Sequence, residues 1–138
     1  MTQEMTKIRF PIDFGNMEAE WVWAKHVGPG LYCIENIPFF INMPEPKVNY
    51  EDIVHADLDE EGNLEFREVI ETHGNSTVVV DFEPLVDGDP DEMRFMLEEM
   101  NERIGAMWEK GFDWLVAINV PAGEDREEVF RIIDEVAS

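Results

Sequence analysis

The sequence predicts an α+β fold, with a small antiparallel, barrel-like β sheet first and a β-α-β-α unit after it. Three observations carry that expectation. Apolar and polar residues alternate through most of the first eighty positions, a β-branched run stands at 77-TVVVDF-82, and beyond residue 83 apolar residues recur at spacings of 3 and 4. At 138 residues the chain suits one compact domain, residues 1–138, with a β subdomain over about 7–76 and a βαβα subdomain over about 77–138.

Taken in order, 7-KIRFPI-12 alternates Ile8, Phe10 and Ile12 with Lys7, Arg9 and Pro11, the period of a half-buried strand whose proline marks an edge. In 18-EAEWVWAKHV-27 the alternation sets Trp21 and Trp23 on one face, and 28-GPG-30 turns the chain into 31-LYCI-34. The pair 50-YEDIVHADL-58 and 64-LEFREVI-70, joined by 59-DEEGN-63, reads as a hairpin with Leu64, Phe66 and Val69 inward. After the turn 73-HGNS-76, the run 77–82 suggests a central strand covered on both faces.

The second half changes period. Asp89 caps a helix with Pro90 at its first position and Glu92 three residues on, and Gly111 supplies the stop. Met93, Met96, Leu97, Met100, Ile104, Met107 and Trp108 form its apolar stripe. A buried strand follows at 113-DWLVAINV-120, and Pro121-Ala122-Gly123 opens a last helix with Val129, Ile132, Ile133 and Val136 inward. A right-handed crossover would set the strands at 77–82 and 113–120 parallel in one sheet, like half of a ferredoxin-like fold.

Charge limits the function classes. The chain carries 32 acids and 10 bases, a formal net charge of −22, spread as −9 over residues 1–70 and −13 over 71–138. Such a field repels phosphate backbones and anionic lipid and draws in basic ligands, so neither nucleic acid nor membrane is an expected partner. Cys33 is the only cysteine, which excludes an intrachain disulfide and a cysteine zinc site. The N-terminus lacks a signal-type apolar region and no run of 18 apolar residues occurs, giving the expectation of a cytoplasmic protein.

The series G-L-Y-C-I-E-N-I-P-F-F, E-D-I-V-H-A-D, D-E-E-G-N-L-E-F and H-G-N-S-T resembles the bacterial proteins grouped as domain of unknown function 4265, by motif over residues 7–82 and by element order beyond. The resemblance implies a small soluble α+β protein with no assigned activity. It also implies that Ile37, Pro38, Phe39 and Phe40 are a shared structural element and that Gly74 to Thr77 is a shared Gly-x-Ser-Thr turn. The competing reading of the stretch 31-LYCIENIPFFINMPEP-46 is an aromatic lip on a ligand groove.

Local signatures of chemistry are sparse. The spacing 57-DLDEEGNLEFRE-68 fits a calcium-binding EF-hand loop through Asp57, Asp59, Gly62, Leu64 and Glu68, but its flanks alternate like strands, which favours an acidic hairpin. Asp87, Asp89 and Asp91 are better used as helix caps than as cation ligands. His26, His55 and His73 lack zinc spacing, and no nucleophile elbow, P-loop or dinucleotide fingerprint occurs. No catalytic residue, metal ligand or cofactor is therefore assigned.

The leading expectation is a non-enzymatic binding protein that recognises a basic protein surface, an inhibitor or immunity-type protein being its concrete form. Its candidate contact is Phe95, which leaves the helix stripe and stands among Asp91, Glu98, Glu99 and Glu102. The alternative is a small-ligand protein, or an enzyme of unrecognised class, with a site between the β half and the crossover helices lined by Phe39, Phe40 and His73.

Overall fold

The computed structural model describes residues 5–14, 17–39 and 48–137. The chain divides into two units, Met1–His73 and Gly74–Ser138.

In the first unit β1 (Met5–Phe14), β2 (Met17–Gly28), β3 (Leu31–Ile34), β4 (Ile53–Leu58) and β5 (Leu64–Glu71) pair in chain order, each antiparallel to the next. Alternation selects the inner face: Ile8, Phe10, Val22, Ala24, Ile34, Val54 and Ala56 form a buried core with Val48, flanked by Tyr32, Leu64, Phe66 and Val69. The Phe10 and Phe66 rings stack with centroids 4.7 Å apart. Phe66 and Val69 both turn inward although they are three residues apart, because Arg67 is an extra residue between the pairs Ala56/Phe66 and His55/Glu68. That bulge resets the alternation.

The expected barrel-like closure is not met. Arg9 and Glu65 make one parallel pair between β1 and β5, whereas a barrel needs a ladder along every seam. Pro11 lies two residues beyond that pair, where β1 has no partner on its β5 side among the described residues. Within the stretch 31-LYCIENIPFFINMPEP-46, Ile34, Ile37 and Pro38 are buried and their neighbours from Leu31 to Asn36 are partly buried. Residues 40–46 lie outside the described residues.

The second unit runs β6 (Ser76–Asp81), α1 (Glu83–Val86), α2 (Pro90–Ile104), β7 (Met107–Lys110), β8 (Leu115–Val120) and α3 (Glu127–Ala137). Its sheet has the order β6-β8-β7, with β8 antiparallel to both neighbours. The expected parallel pairing of 77–82 with 113–120 is therefore wrong. β6 and β7 are the parallel strands, and β8 lies between them as in a split β-α-β arrangement. The expected central strand is likewise displaced: β6 is at the edge and β8 is central, with Val116 to Val120 all buried.

Both corrections follow from where α2 stops. Asp89 caps it as expected, accepting the Asp91 N–H at 3.0 Å with Pro90 in the first turn. It ends at Gly105, φ 71°, whose N–H donates to the Asn101 carbonyl while the Ala106 N–H donates to that of Met100, and Asn101 Nδ2 donates to the Ala106 carbonyl at 3.0 Å. Met107 and Trp108 keep helical spacing with Ile104 by coincidence, so periodicity alone runs through the helix end to Gly111. They are strand residues, and Trp108 reaches the core from β7. That core joins Val78, Val80 and Phe82 to Met93, Met96, Leu97, Met100 and Ile104 of α2, to Val116, Ile118 and Val120 of β8, and to Val129, Ile132 and Ile133 of α3. Residues 121–123 precede α3 without opening it; Asp125 accepts the Glu127 N–H at 2.9 Å at its start. Among the described residues no helix is long and apolar enough to cross a membrane.

A methyl group at Gly105 would meet only Pro121 Cγ at 3.7 Å, an ordinary contact, so Gly105→Ala tests backbone conformation alone. The positive φ should cost the variant about 1 kcal/mol of unfolding free energy in a denaturant titration.

Candidate functional site

The α2 residues singled out by sequence do assemble. With Met93, Met96, Leu97, Met100 and Ile104 buried, Asp91, Phe95, Glu98 and Glu102 follow one another at spacings of 4, 3 and 4 on the opposite face. Phe95 is 53% exposed. Glu99 stands apart from this column: it accepts Arg103 Nε at 3.0 Å, and Arg103 also bonds Glu135 of α3. The cation nearest the C-terminal end of the face is thus already neutralised. Asp87 and Asp89 take capping positions, Asp87 ending α1 at φ 50° and Asp89 starting α2.

The residues proposed for a ligand groove belong to the first unit. Phe39 is half-buried and donates its N–H to Glu20 Oε2 at 2.8 Å. His73 is exposed and donates its N–H to Asp52 Oδ1 at 3.2 Å. Phe40 lies outside the described residues. The two described residues are held by different anchors, and their sequence signal came from composition, which carries no information on which strand each faces.

Among the described residues Asp52 is the fully buried carboxylate of this unit, at 0% exposure. Besides His73 it accepts the Asn49 N–H at 2.9 Å, tying the β3–β4 connection to the end of β5. Burial pushes its carboxyl above the ordinary 3.8, against the backbone bonds from Asn49 and His73 that pull it down. Cys33 donates to the Glu51 carbonyl at 3.7 Å, and burial followed by Glu35 and Glu51 pushes its thiol up, so it stays protonated and a poor nucleophile at neutral pH.

The EF-hand spacing falls on a strand-turn-strand hairpin, β4 to β5. Asp59 Oδ1 accepts the N–H groups of Glu61 and Asn63, each at 2.9 Å, while Asp57 meets His55 Nε2 at 3.1 Å and Arg67 Nε at 3.6 Å. Gly62 supplies φ 85° in the turn. Two of the carboxylates that calcium would need, Asp57 and Asp59, are thus engaged in the hairpin's own bonds.

Beside this turn lies a feature that sequence reasoning did not find. A cleft of about 690 Å³ is lined by Arg9, Glu18, Trp21, Leu58, Asp59, Glu60, Glu61, Asn63, Glu65 and Arg67. Trp21 is 45% and Leu58 67% exposed. The alternation of Trp21 and Trp23 with buried Val22 and Ala24 was the available signal, since one set must face water when the other is core. That the β4–β5 turn stands beside Trp21 depends on the β1/β5 pairing, which no local pattern encodes.

Two expectations can be measured. Below 3.8 the contribution of Asp52 to stability is fully present, and it is lost as pH rises through its raised folded value; repulsion among carboxylates changes in the same direction. The melting temperature by calorimetry should therefore hold or rise from about pH 7 to about pH 5, and a steady fall would show that paired native carboxylates dominate. Titrating calcium to ~1 mM should give no saturable change in tryptophan fluorescence, whereas a micromolar midpoint would overturn the hairpin's exclusion of calcium.

Comparison with known proteins adds family and fold. A family model described as "Domain of unknown function (DUF4265)" matches residues 20–138, reaching through both units beyond residues 7–82 where the motif resemblance lies. No curated protein matches. A solved structure, "Novel crystal structure of a hypothetical protein from Neisseria gonorrhoeae", is similar with a TM-score of 0.65 and 21% identity, covering 98% of this chain and 87% of that one. At that identity the likeness is one of fold.

Proposed function

This chain belongs to the family described as domain of unknown function DUF4265, and we propose that it is a non-enzymatic binding protein that holds a basic protein surface. The observation that carries the reading is Phe95, 53% exposed on a column of carboxylates formed by Asp91, Glu98 and Glu102. An aromatic anchor with a charged rim is the composition of an interface, and the rim's sign selects a cationic partner. The net charge of −22 adds long-range steering toward such a partner and away from nucleic acid.

In its concrete form the protein is a cytoplasmic inhibitor of immunity type that covers a cationic domain, for instance one that must itself hold phosphate. Association would then be fast at low salt and weaken as salt screens the field. The sequence carries no local catalytic signature, and binding is the simplest use of the surface.

Capture of partners on immobilised protein, followed by calorimetry with the recovered partner, tests this. Phe95→Ser should leave unfolding free energy within about 0.5 kcal/mol and weaken binding by about 1 kcal/mol or more. A stability loss of several kcal/mol, or recovery of no cationic protein, would sink the proposal.

A further inference from the structure

The cleft of the first unit is lined by residues of β1, β2, β4, β5 and the β4–β5 turn, whereas the α2 column belongs to the second unit. Its chemistry is set by which charges are already used. Arg9 is committed to Glu65 at 3.5 Å, Arg67 to Asp57 at 3.6 Å, and Asp59 to two backbone N–H groups of its turn. Glu18, Glu60 and Glu61 line the cleft with no partner among the described residues. The cations are therefore internally neutralised and the surplus charge facing the cleft is negative. Among the described residues no three carboxylate, histidine or cysteine groups converge closely enough to hold a metal ion. The negative charge is spread around the opening, which suits a large, diffuse cation better than a small hard one.

A second observation specifies that cation. Two residues along the same face, Lys7 Nζ stands 5.0 Å above the ring of Trp23, its cross-strand partner. The equivalent partner of Trp21 is Arg9, but Arg9 is turned to Glu65. Trp21, 45% exposed, has no cation over its ring among the described residues. The face thus presents two indoles in the same setting, one covered by a cation from within the chain and one uncovered beside three free carboxylates. At about 690 Å³ the space in front of Trp21 accommodates a long side chain with room for the backbone that bears it.

We infer that this cleft binds an arginine side chain of a partner protein, stacked on Trp21 and paired to Glu18, Glu60 or Glu61. A guanidinium fits better than an ammonium because its plane lies flat on the indole while its edge donates to carboxylates. The inference deepens the reading of a basic partner by naming the group that is read, yet it rests on residues of the other unit, so either can fail alone.

Calorimetric titration of the full chain with hexa-arginine, hexa-lysine and hexa-glutamate peptides tests it, with melting curves to verify that each variant is folded. Hexa-arginine should bind more tightly than hexa-lysine, and hexa-glutamate should not bind. Trp21→Leu should weaken hexa-arginine about fivefold and narrow its advantage over hexa-lysine, whereas Trp23→Leu should change little. The exposed triple variant Glu18→Gln, Glu60→Gln, Glu61→Gln should weaken it about tenfold or more and flatten its salt dependence. The cleft proposal is overturned if hexa-arginine does not bind, if neither cleft variant weakens it, or if Glu98→Gln with Glu102→Gln weakens it as much as the cleft triple. In the last case the field of the whole protein, not the cleft, is the binder. Retention of a captured partner by the cleft variants but not by Phe95→Ser would remove the arginine site and leave the α2 reading standing.

Discussion

With 32 acids and 10 bases in 138 residues, this chain can fold only if nearly every carboxylate stays in water. Each element must then give one face to apolar packing and leave the other to charge. The strands do so by alternation, Ile8 and Phe10 inward against Lys7 and Arg9 outward, and α2 does so by its stripe of Met93, Met96, Leu97, Met100 and Ile104. Asp52 is the exception that measures the rule. It is buried, and it is tolerated because the Asn49 and His73 N–H groups converge on it.

From the same constraint comes a surface whose background is negative and whose apolar exposures stand out. Phe95 and Trp21 are both large and both half exposed, Phe95 in a column with Asp91, Glu98 and Glu102, and Trp21 in the cleft with Glu18, Glu60 and Glu61. Other exposed apolar groups have plainer surroundings: Trp23 lies under Lys7. Cations are arranged with equal economy. Arg9, Lys25, Arg67, Arg103 and Arg131 each sit on an acid of their own unit, so a ligand meets mostly the unpaired acids. This division of labour among charges is what makes a basic partner the chemically consistent one.

The family match and the fold likeness agree with an α+β architecture and carry no activity with them. Function is argued from sites instead of from fold. Here the two candidate surfaces lie in separate units, one on a helix and one on a sheet, and both present carboxylates around an exposed aromatic ring.

Much was determined by sequence alone: the strands of the first unit, the β4–β5 hairpin, the Asp89 cap, the buried faces of α2 and α3, and the exposure of Phe95. All of these follow from side-chain period and capping chemistry, which act within a few residues. The end of α2 was encoded locally too, at Gly105, but Met107 and Trp108 extend the helical period past it and hide the strand β7. Once β7 is missed, strand direction and order in the second sheet are lost, because pairing is decided by which strands reach each other and not by any one of them. The bulge at Arg67, the single Arg9/Glu65 pair that stops short of a barrel, and the cleft where Trp21 meets the turn at 58–63 belong to the same class. They depend on contacts between separate segments of the chain, fixed only when the backbone hydrogen bonds of several strands are satisfied together.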